Sequence, residues 1–303
     1  EEGREALVRL AGETGILVTN LAADSFLDHE TLARHRADMI TLRIMGWHDE
    51  RQAMDFTVNA ASGYPLMTGP EKWDADNPPP VNQVLPAWDF ICGAYGAFAL
   101  LAALRHREAT GKGGEVRIPL GDVMLGTVAN SGAMAEMLYR DADRERLGNN
   151  IWGAFGRDFT SRDGVRFMLA ALTDKQWAAL IDAFGVRDEI DAVEHRENVS
   201  FAHGDHNRFV HRTVLAAIFA EAAEKQDYAA IEARLTEAGA TFERYRTMHE
   251  LVGDERLVSD NPLFGPSPDN PSGFDYPAAR SIASIPGLAA GDPLPAPRLG
   301  ADG

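Results

Sequence analysis

EEGREALVRLAGETGILVTNLAA, residues Glu1 to Ala23, sets the fold class. Ala6, Leu7, Leu10 and Ala11 recur at helical spacing, Gly12 follows them, and ILVTNLAA reads as a short buried strand. A helix leading into an all-apolar strand is half of a βαβ unit, the element of a parallel sheet with helices on its faces. Working outward, LDHETLARHRADM reads as the next helix and ITLRIMGW as the next strand, which ends in a loop containing Gly46. The expected class is therefore α/β, with a Rossmann-like large domain. Ligands of open sheets bind beyond the carboxyl ends of the strands, so the turn Asn20 to Asp24 is a candidate site as well as a plain connection.

The most distinctive chemistry lies in VNQVLPAWDFICGAYGAFALLAALRHR, Val81 to Arg107. Pro86 ends the preceding segment, and Asp89 is expected at the N-cap of a helix whose apolar run extends from Phe90 to Leu104. Gly93, Ala94, Gly96, Ala97 and Ala99 would let another element or a ligand approach its backbone, while Arg105, His106 and Arg107 suit its negative end. Asp55 opens a second helix-like segment, DFTVNAASGYPLMTG, broken by Gly63 and Pro65. Helix N-termini stabilise anions, so both acids are expected to be ionised, and a desolvated carboxylate there is a usable nucleophile. A cap and a nucleophile need the same position, and the pattern alone does not separate them. Trp88 reads as a core anchor that could also keep water from Asp89.

TGKGGEVRIPLGD is a glycine turn into a further strand; Lys112 is followed by Gly113 rather than Ser or Thr, so it is no nucleotide-binding P-loop. Val123 to Tyr139 reads as one helix. The rhythm changes at Gly148: GNNIWGAFGRDFTSRDGVRFMLAAL gives two strands around a turn at Arg162 to Gly164, and DKQWAALIDAFGV gives a helix begun by Thr173 or Asp174. Helical patterns follow at Arg212 to Glu224 and Tyr228 to Ala238, and prolines and glycines punctuate the chain from Pro262 onward. The organisation expected is a large α/β domain over residues 1–150, a smaller α+β domain over 151–248, and an extended segment, 249–303, returning to the large domain.

The chain has 303 residues and a net charge of -17, with 29 Lys and Arg against 46 Asp and Glu, which argues against nucleic acid or an anionic membrane as partner. Any anionic ligand would have to be held by local cations. Cys92 is the only cysteine, as suits a reducing cytoplasm, and no apolar run is expected to reach bilayer length. Beginning without Met inside a helical pattern, the chain reads as a piece of something longer. His203, Asp205, His206 and His211 lie in FAHGDHNRFVH, a polar connector without the spacing of a metal motif, so no metal is expected. There is no G-x-S-x-G elbow and no G-x-G-x-x-G after a strand.

Taken in order, ILVTN, MDFTVNAASG, WDFICGAYGAFALLAALRHREATGKGGEVRIPLGD, GNN, FTSRDG and LPAPRLGAD resemble the segments of the class III CoA-transferases along the whole chain. The resemblance implies an acyl-CoA enzyme working as an interlocked homodimer, with coenzyme A as part of the substrate and no permanently bound cofactor. It implies that Asp89 is the nucleophile, that Asp55 supports it, and that Asn20, Leu21, Gly46, Met54 and Trp88 border CoA or substrate. Leu21 departs from the aromatic residue usual there, and Met54 stands where racemase members carry a catalytic His, which argues against proton exchange. The family's first βαβ segment, with an oxyanion-hole Gln, would lie ahead of Glu1. VNQVLPAWD, GYPLMTGP and WGAFGRDFTSRDG are most similar to members that move CoA between the two carboxyls of one diacid, mesaconyl-CoA. Intermolecular transfer to a second acid and a non-catalytic acyl-CoA-binding subunit are the alternatives. Backbone amides at the Asp89 helix or in WGAFG are the candidate oxyanion donors.

Overall fold

The computed structural model describes residues 2–21, 25–74, 77–266, 270–288 and 291–300. The chain forms two compact units, Glu1–Asn150 and Ile151–Gly303. The first contains α1 (Glu2–Thr14), β1 (Ile16–Thr19), α2 (His29–His35), β2 (Ile40–Met45), α3 (Asp55–Ala61), α4 (Tyr64–Met67), α5 (Ala87–Thr110), β3 (Gly114–Pro119), α6 (Leu120–Asn130) and α7 (Ala133–Arg140). Its three strands form a parallel sheet in the order β1-β2-β3. Parallel neighbours need crossovers, which α2 supplies between β1 and β2, and α3 to α5 between β2 and β3. Five of the six β2 residues are buried, as expected of a central strand covered on both faces. All three strands end on one side, so residues 20–21, 46 and 120 emerge together at the carboxyl edge.

The sequence expectation of one helix from Val123 to Tyr139 is corrected by a break at Ser131 and Gly132. Gly132 takes φ of 81°, a conformation that ends one helix and starts another without strain on a side chain. Helix α5 also differs from expectation. It runs to Thr110 and is long and apolar enough to cross a membrane by length and composition, with a mean hydropathy of 1.6 over its most apolar window. Length does not decide its setting, because Trp88, Cys92 and Gly96 are buried in the core with Leu42 and Ile118 of the sheet. Phe90, Tyr95, Phe98 and Leu101 form its exposed side.

The second unit contains β4 (Phe155–Thr160), β5 (Arg166–Ala171), α8 (Asp174–Phe184), α9 (Arg187–Glu197), α10 (Asp205–Val210), α11 (Arg212–Glu224), α12 (Tyr228–Glu237), β6 (Thr241–Arg244), α13 (Met248–Val252), a π-helical turn (Glu255–Ser259), β7 (Phe264–Gly265) and β8 (Ala278–Ala279). Strands β4, β5 and β6 form an antiparallel sheet, and their inward Phe155, Phe159 and Phe167 join Trp177, Phe201 and Phe219 in an aromatic core. Thr173 caps α8 by accepting from the Gln176 N–H at 3.2 Å.

FAHGDHNRFVH is not merely a polar connector: it forms α10 and delivers Arg208 into the core. The Arg208 guanidinium lies 5.4 Å from the Trp177 ring, donates to the Phe201 carbonyl at 2.7 Å, and pairs with Asp174. His203 stands 3.6 Å from the same Asp174. A fully buried cation is tolerated when carbonyls, a carboxylate and a ring face share its charge. Arg208→Ala removes that volume and leaves the Phe201 and Ala202 carbonyls without their donor, so urea unfolding is expected to show a loss of about 2–4 kcal/mol.

Candidate active site

Asp55 and Asn59 stand four residues apart on α3 and therefore face the same way. Both are buried, and both grip the start of α5. The Asp55 Oδ2 accepts the backbone N–H groups of Trp88 at 2.7 Å and of Asp89 at 3.1 Å. The Asn59 Oδ1 accepts the Trp88 indole N–H at 3.1 Å, and its amide donates to Asn82. Tyr64 stacks on Trp88, with ring centroids 6.4 Å apart and planes within 12°.

This arrangement corrects the expected capping geometry. Pro86, not Asp89, occupies the N-cap, and Asp89 lies in the first turn. The cap comes from outside the helix: Asp55, distant in sequence, takes the free N–H groups that a local Ser, Thr or Asp would ordinarily take. A proline cap has no side-chain acceptor, which leaves this vacancy for a tertiary partner. The Ala87 and Phe90 N–H groups bond to the Leu85 and Pro86 carbonyls. All four first-turn amides are thus engaged, so the start of α5 does not offer the oxyanion donors expected there.

The Asp89 carboxylate accepts no hydrogen bond among the described residues and is exposed to a cavity of about 480 Å³. Asn20 and Leu21 beyond β1, Gly46 beyond β2 and Leu120 beyond β3 line this cavity together with Met54, Arg43, Glu50 and Arg51. It lies at the carboxyl edge of the sheet, where open α/β folds hold ligands. Five of the seven singled-out residues, Asn20, Leu21, Gly46, Met54 and Asp89, are on its wall. Asp55 stands behind Asp89, and Trp88 is off the wall, buried as the core anchor. Residues 22–24 of the candidate turn lie outside the described residues.

Gly46 is required sterically. A Cβ there would lie 2.4 Å from both the Arg51 carbonyl oxygen and the Ala53 nitrogen, so the loop after β2 closes on itself only around glycine. That loop also supplies what sequence reading missed. Arg43, on β2, is almost fully buried and donates to Glu50 through both Nη atoms at 3.0 and 2.8 Å, while its Nε lies 3.3 Å from Glu115. An arginine in a central strand gives no motif signal, and its partners come from a following turn and a neighbouring strand.

A model of CoA-transferase family III matches residues 1–303. The chain belongs to CoA-transferase family III. It is 38% identical to 2-methylfumaryl-CoA isomerase of Chloroflexus aurantiacus, over 98% of this chain and 73% of that protein. It is 29% identical to succinyl-CoA:mesaconate CoA-transferase of Haloarcula marismortui, over 60% of this chain and 48% of that protein. A crystal structure of a CAIB/BAIF family protein from Brucella suis superposes with a TM-score of 0.75 at 24% identity, covering 100% of this chain and 77% of that one, and supports the fold alone.

Within this family III domain the Asp89 carboxyl is electrostatically perturbed. Burial raises the Asp89 carboxyl above the ordinary aspartate range, and the nearby Asp55 charge raises it further. The expectation that the helix end simply favours the charged form of Asp89 is corrected, because Asp55 has already taken the amides that would stabilise it. Burial, then the Asp89 charge, also raises the Cys92 thiol one turn behind, keeping it a neutral neighbour. A reaction that needs ionised Asp89 has its acid limb displaced upward, with activity lost as pH falls through the raised value. Asp55→Asn removes the repulsive charge while retaining an acceptor for the cap. The acid limb of its kcat/KM profile is expected to shift to lower pH, whereas Asp55→Ala loses the cap and about 1 kcal/mol of stability by thermal unfolding.

Proposed function

We propose that the chain transfers coenzyme A between carboxylates with Asp89 as nucleophile, and that the transfer is intramolecular, between the two carboxyls of mesaconyl-CoA. The observation that carries the chemistry is a carboxylate that accepts no hydrogen bond among the described residues, on a capped helix, lining a cavity at the sheet's carboxyl edge. The 38% identity to 2-methylfumaryl-CoA isomerase supports the choice of substrate.

In this reading Asp89 attacks the thioester carbonyl and expels CoA thiolate, forming a mixed anhydride. The thiolate then attacks the Asp89 carbonyl, giving an aspartyl-CoA thioester and freeing the diacid. Its other carboxylate attacks that thioester, expelling thiolate again and forming a second mixed anhydride. Thiolate closes the cycle on the acyl carbonyl and releases Asp89. Each step exchanges one acyl bond for another, so the thioester energy is retained and no metal is required. A raised Asp89 pKa fits this role, since a less stabilised carboxylate is the better nucleophile. Asn20, Leu21, Gly46 and Met54 form the wall against which the acyl-CoA would lie, and Asp55 positions Asp89 through the helix end. We assign the enzyme the homodimeric form implied by the resemblance and the reducing cytoplasm that suits a single cysteine.

A second reading, transfer to a separate acid, draws on the similarity to succinyl-CoA:mesaconate CoA-transferase. Incubating the full-length protein with mesaconyl-CoA alone and separating the products separates the two: intramolecular transfer yields the positional isomer without an added acceptor. Conversion that appears only after a second acid is supplied would reject it. Asp89→Ala is expected to lower turnover by roughly 10³-fold or more with CoA binding retained, and wild-type turnover in that variant would remove Asp89 from the mechanism.

A further inference from the structure

Four charged side chains line the cavity: Arg43, Glu50, Arg51 and Asp89. The two arginines differ in what they have left to offer. Arg43 is buried and already faces two carboxylates, bidentately from Glu50 and at Nε from Glu115. Those hydrogen bonds hold the Glu50 carboxyl below its ordinary range, a sign of a satisfied pair. Arg51 has an exposed side chain whose ion pair, at 2.7 Å, is to Asp49, a neighbour that is not on the cavity wall. Such an exposed pair is worth about 0–1 kcal/mol and can be exchanged for a ligand.

Its backbone, by contrast, is pinned. The Trp47 N–H donates to the Arg51 carbonyl at 3.0 Å, the Glu50 N–H donates to Trp47, and Glu50 takes φ of 68°, strained for a residue with a side chain. Gly46 admits nothing larger beneath this turn, and the Arg51 guanidinium lies 5.4 Å from the Trp47 ring centroid, which limits its sweep. A fixed backbone carrying an exchangeable planar cation is suited to bidentate recognition of a carboxylate.

Need and supply coincide here. A dicarboxylic monothioester brings a negative charge beside Asp89, Asp55 and Glu50, in a chain of net charge -17, and this is unfavourable without a local cation. If both ends of one small acyl group react at Asp89, the cation holding the free end must belong to the same cavity. We infer that Arg51 binds the free carboxylate of the acyl-CoA and makes the cavity selective for dicarboxylic over monocarboxylic acyl groups. This rests on the CoA-transfer reading of the same cavity.

Steady-state kinetics of the full-length protein test it with mesaconyl-CoA as substrate, and with tiglyl-CoA, in which methyl replaces the free carboxylate, and free CoA as competitive inhibitors. Arg51→Gln is expected to lower kcat/KM for mesaconyl-CoA roughly 10- to 100-fold while the two inhibition constants stay within about twofold, with Arg51→Lys recovering part of the loss. Parallel weakening of all three ligands would overturn the inference by assigning Arg51 to a CoA phosphate, and unchanged values for all three would overturn it outright. If the wild-type protein does not turn over mesaconyl-CoA alone, the intramolecular reading falls separately. The ratio of mesaconyl-CoA to tiglyl-CoA affinity in wild type and Arg51→Gln then decides the role of Arg51 by the same criterion.

Discussion

The site depends on one carboxylate oxygen, Oδ2 of Asp55, accepting two backbone amides at the start of α5. Helix ends need acceptors for their first N–H groups, and a proline at the N-cap brings none. The acceptor therefore comes from α3, fastening the helix carrying Asp89 to the helix that follows the central strand. Asn59, one turn further along α3, fastens the same place through the Trp88 indole. Two polar residues on one face of a short helix thus fix both the main chain and the side chain next to Asp89.

The consequence for Asp89 is electrostatic. A carboxylate at a helix N-terminus is normally stabilised by the amides it faces, but here another carboxylate holds them. Asp89 is left in the first turn without hydrogen bonds among the described residues, partly desolvated and beside a like charge, and its carboxyl is raised accordingly. The cap and the nucleophile compete for one position when a single acid is considered. With two acids the positions separate: Asp55 caps the helix, and the Asp89 carboxylate is left facing the cavity.

The surrounding cavity follows from strand direction. Because all three strands of the first unit run parallel, residues 20–21, 46 and 120 leave the sheet on the same side and meet around Asp89. Membership of CoA-transferase family III adds the reaction class. The two cations on the cavity wall are paired differently: Arg43 is buried against Glu50 and Glu115, and Arg51 is exposed and paired with Asp49.

Much of this was legible in the sequence because the signals are local. Apolar strands next to periodic helices specify an α/β unit, and the ordered family segments single out Asp89, Asp55, Asn20, Leu21, Gly46 and Met54. Boundaries set by local chemistry, such as the Thr173 cap, were legible for the same reason. What sequence could not supply were contacts between residues far apart along the chain. The proline cap left open which group would serve α5, and only the packing of α3 shows that it is Asp55. Trp88 had two readings, and its burial, with the indole N–H donating to Asn59, places it in the core. Arg208 sat in a polar run yet is fully buried, because its partners are Asp174 and the Trp177 ring. The sequence by itself determined the class of fold through periodicity, and its ordered family segments pointed to Asp89 as the candidate acid. Only the tertiary structure decided which carboxylate caps and which is left free, because helix capping by a distant side chain, burial and charge pairing exist only once the chain has packed.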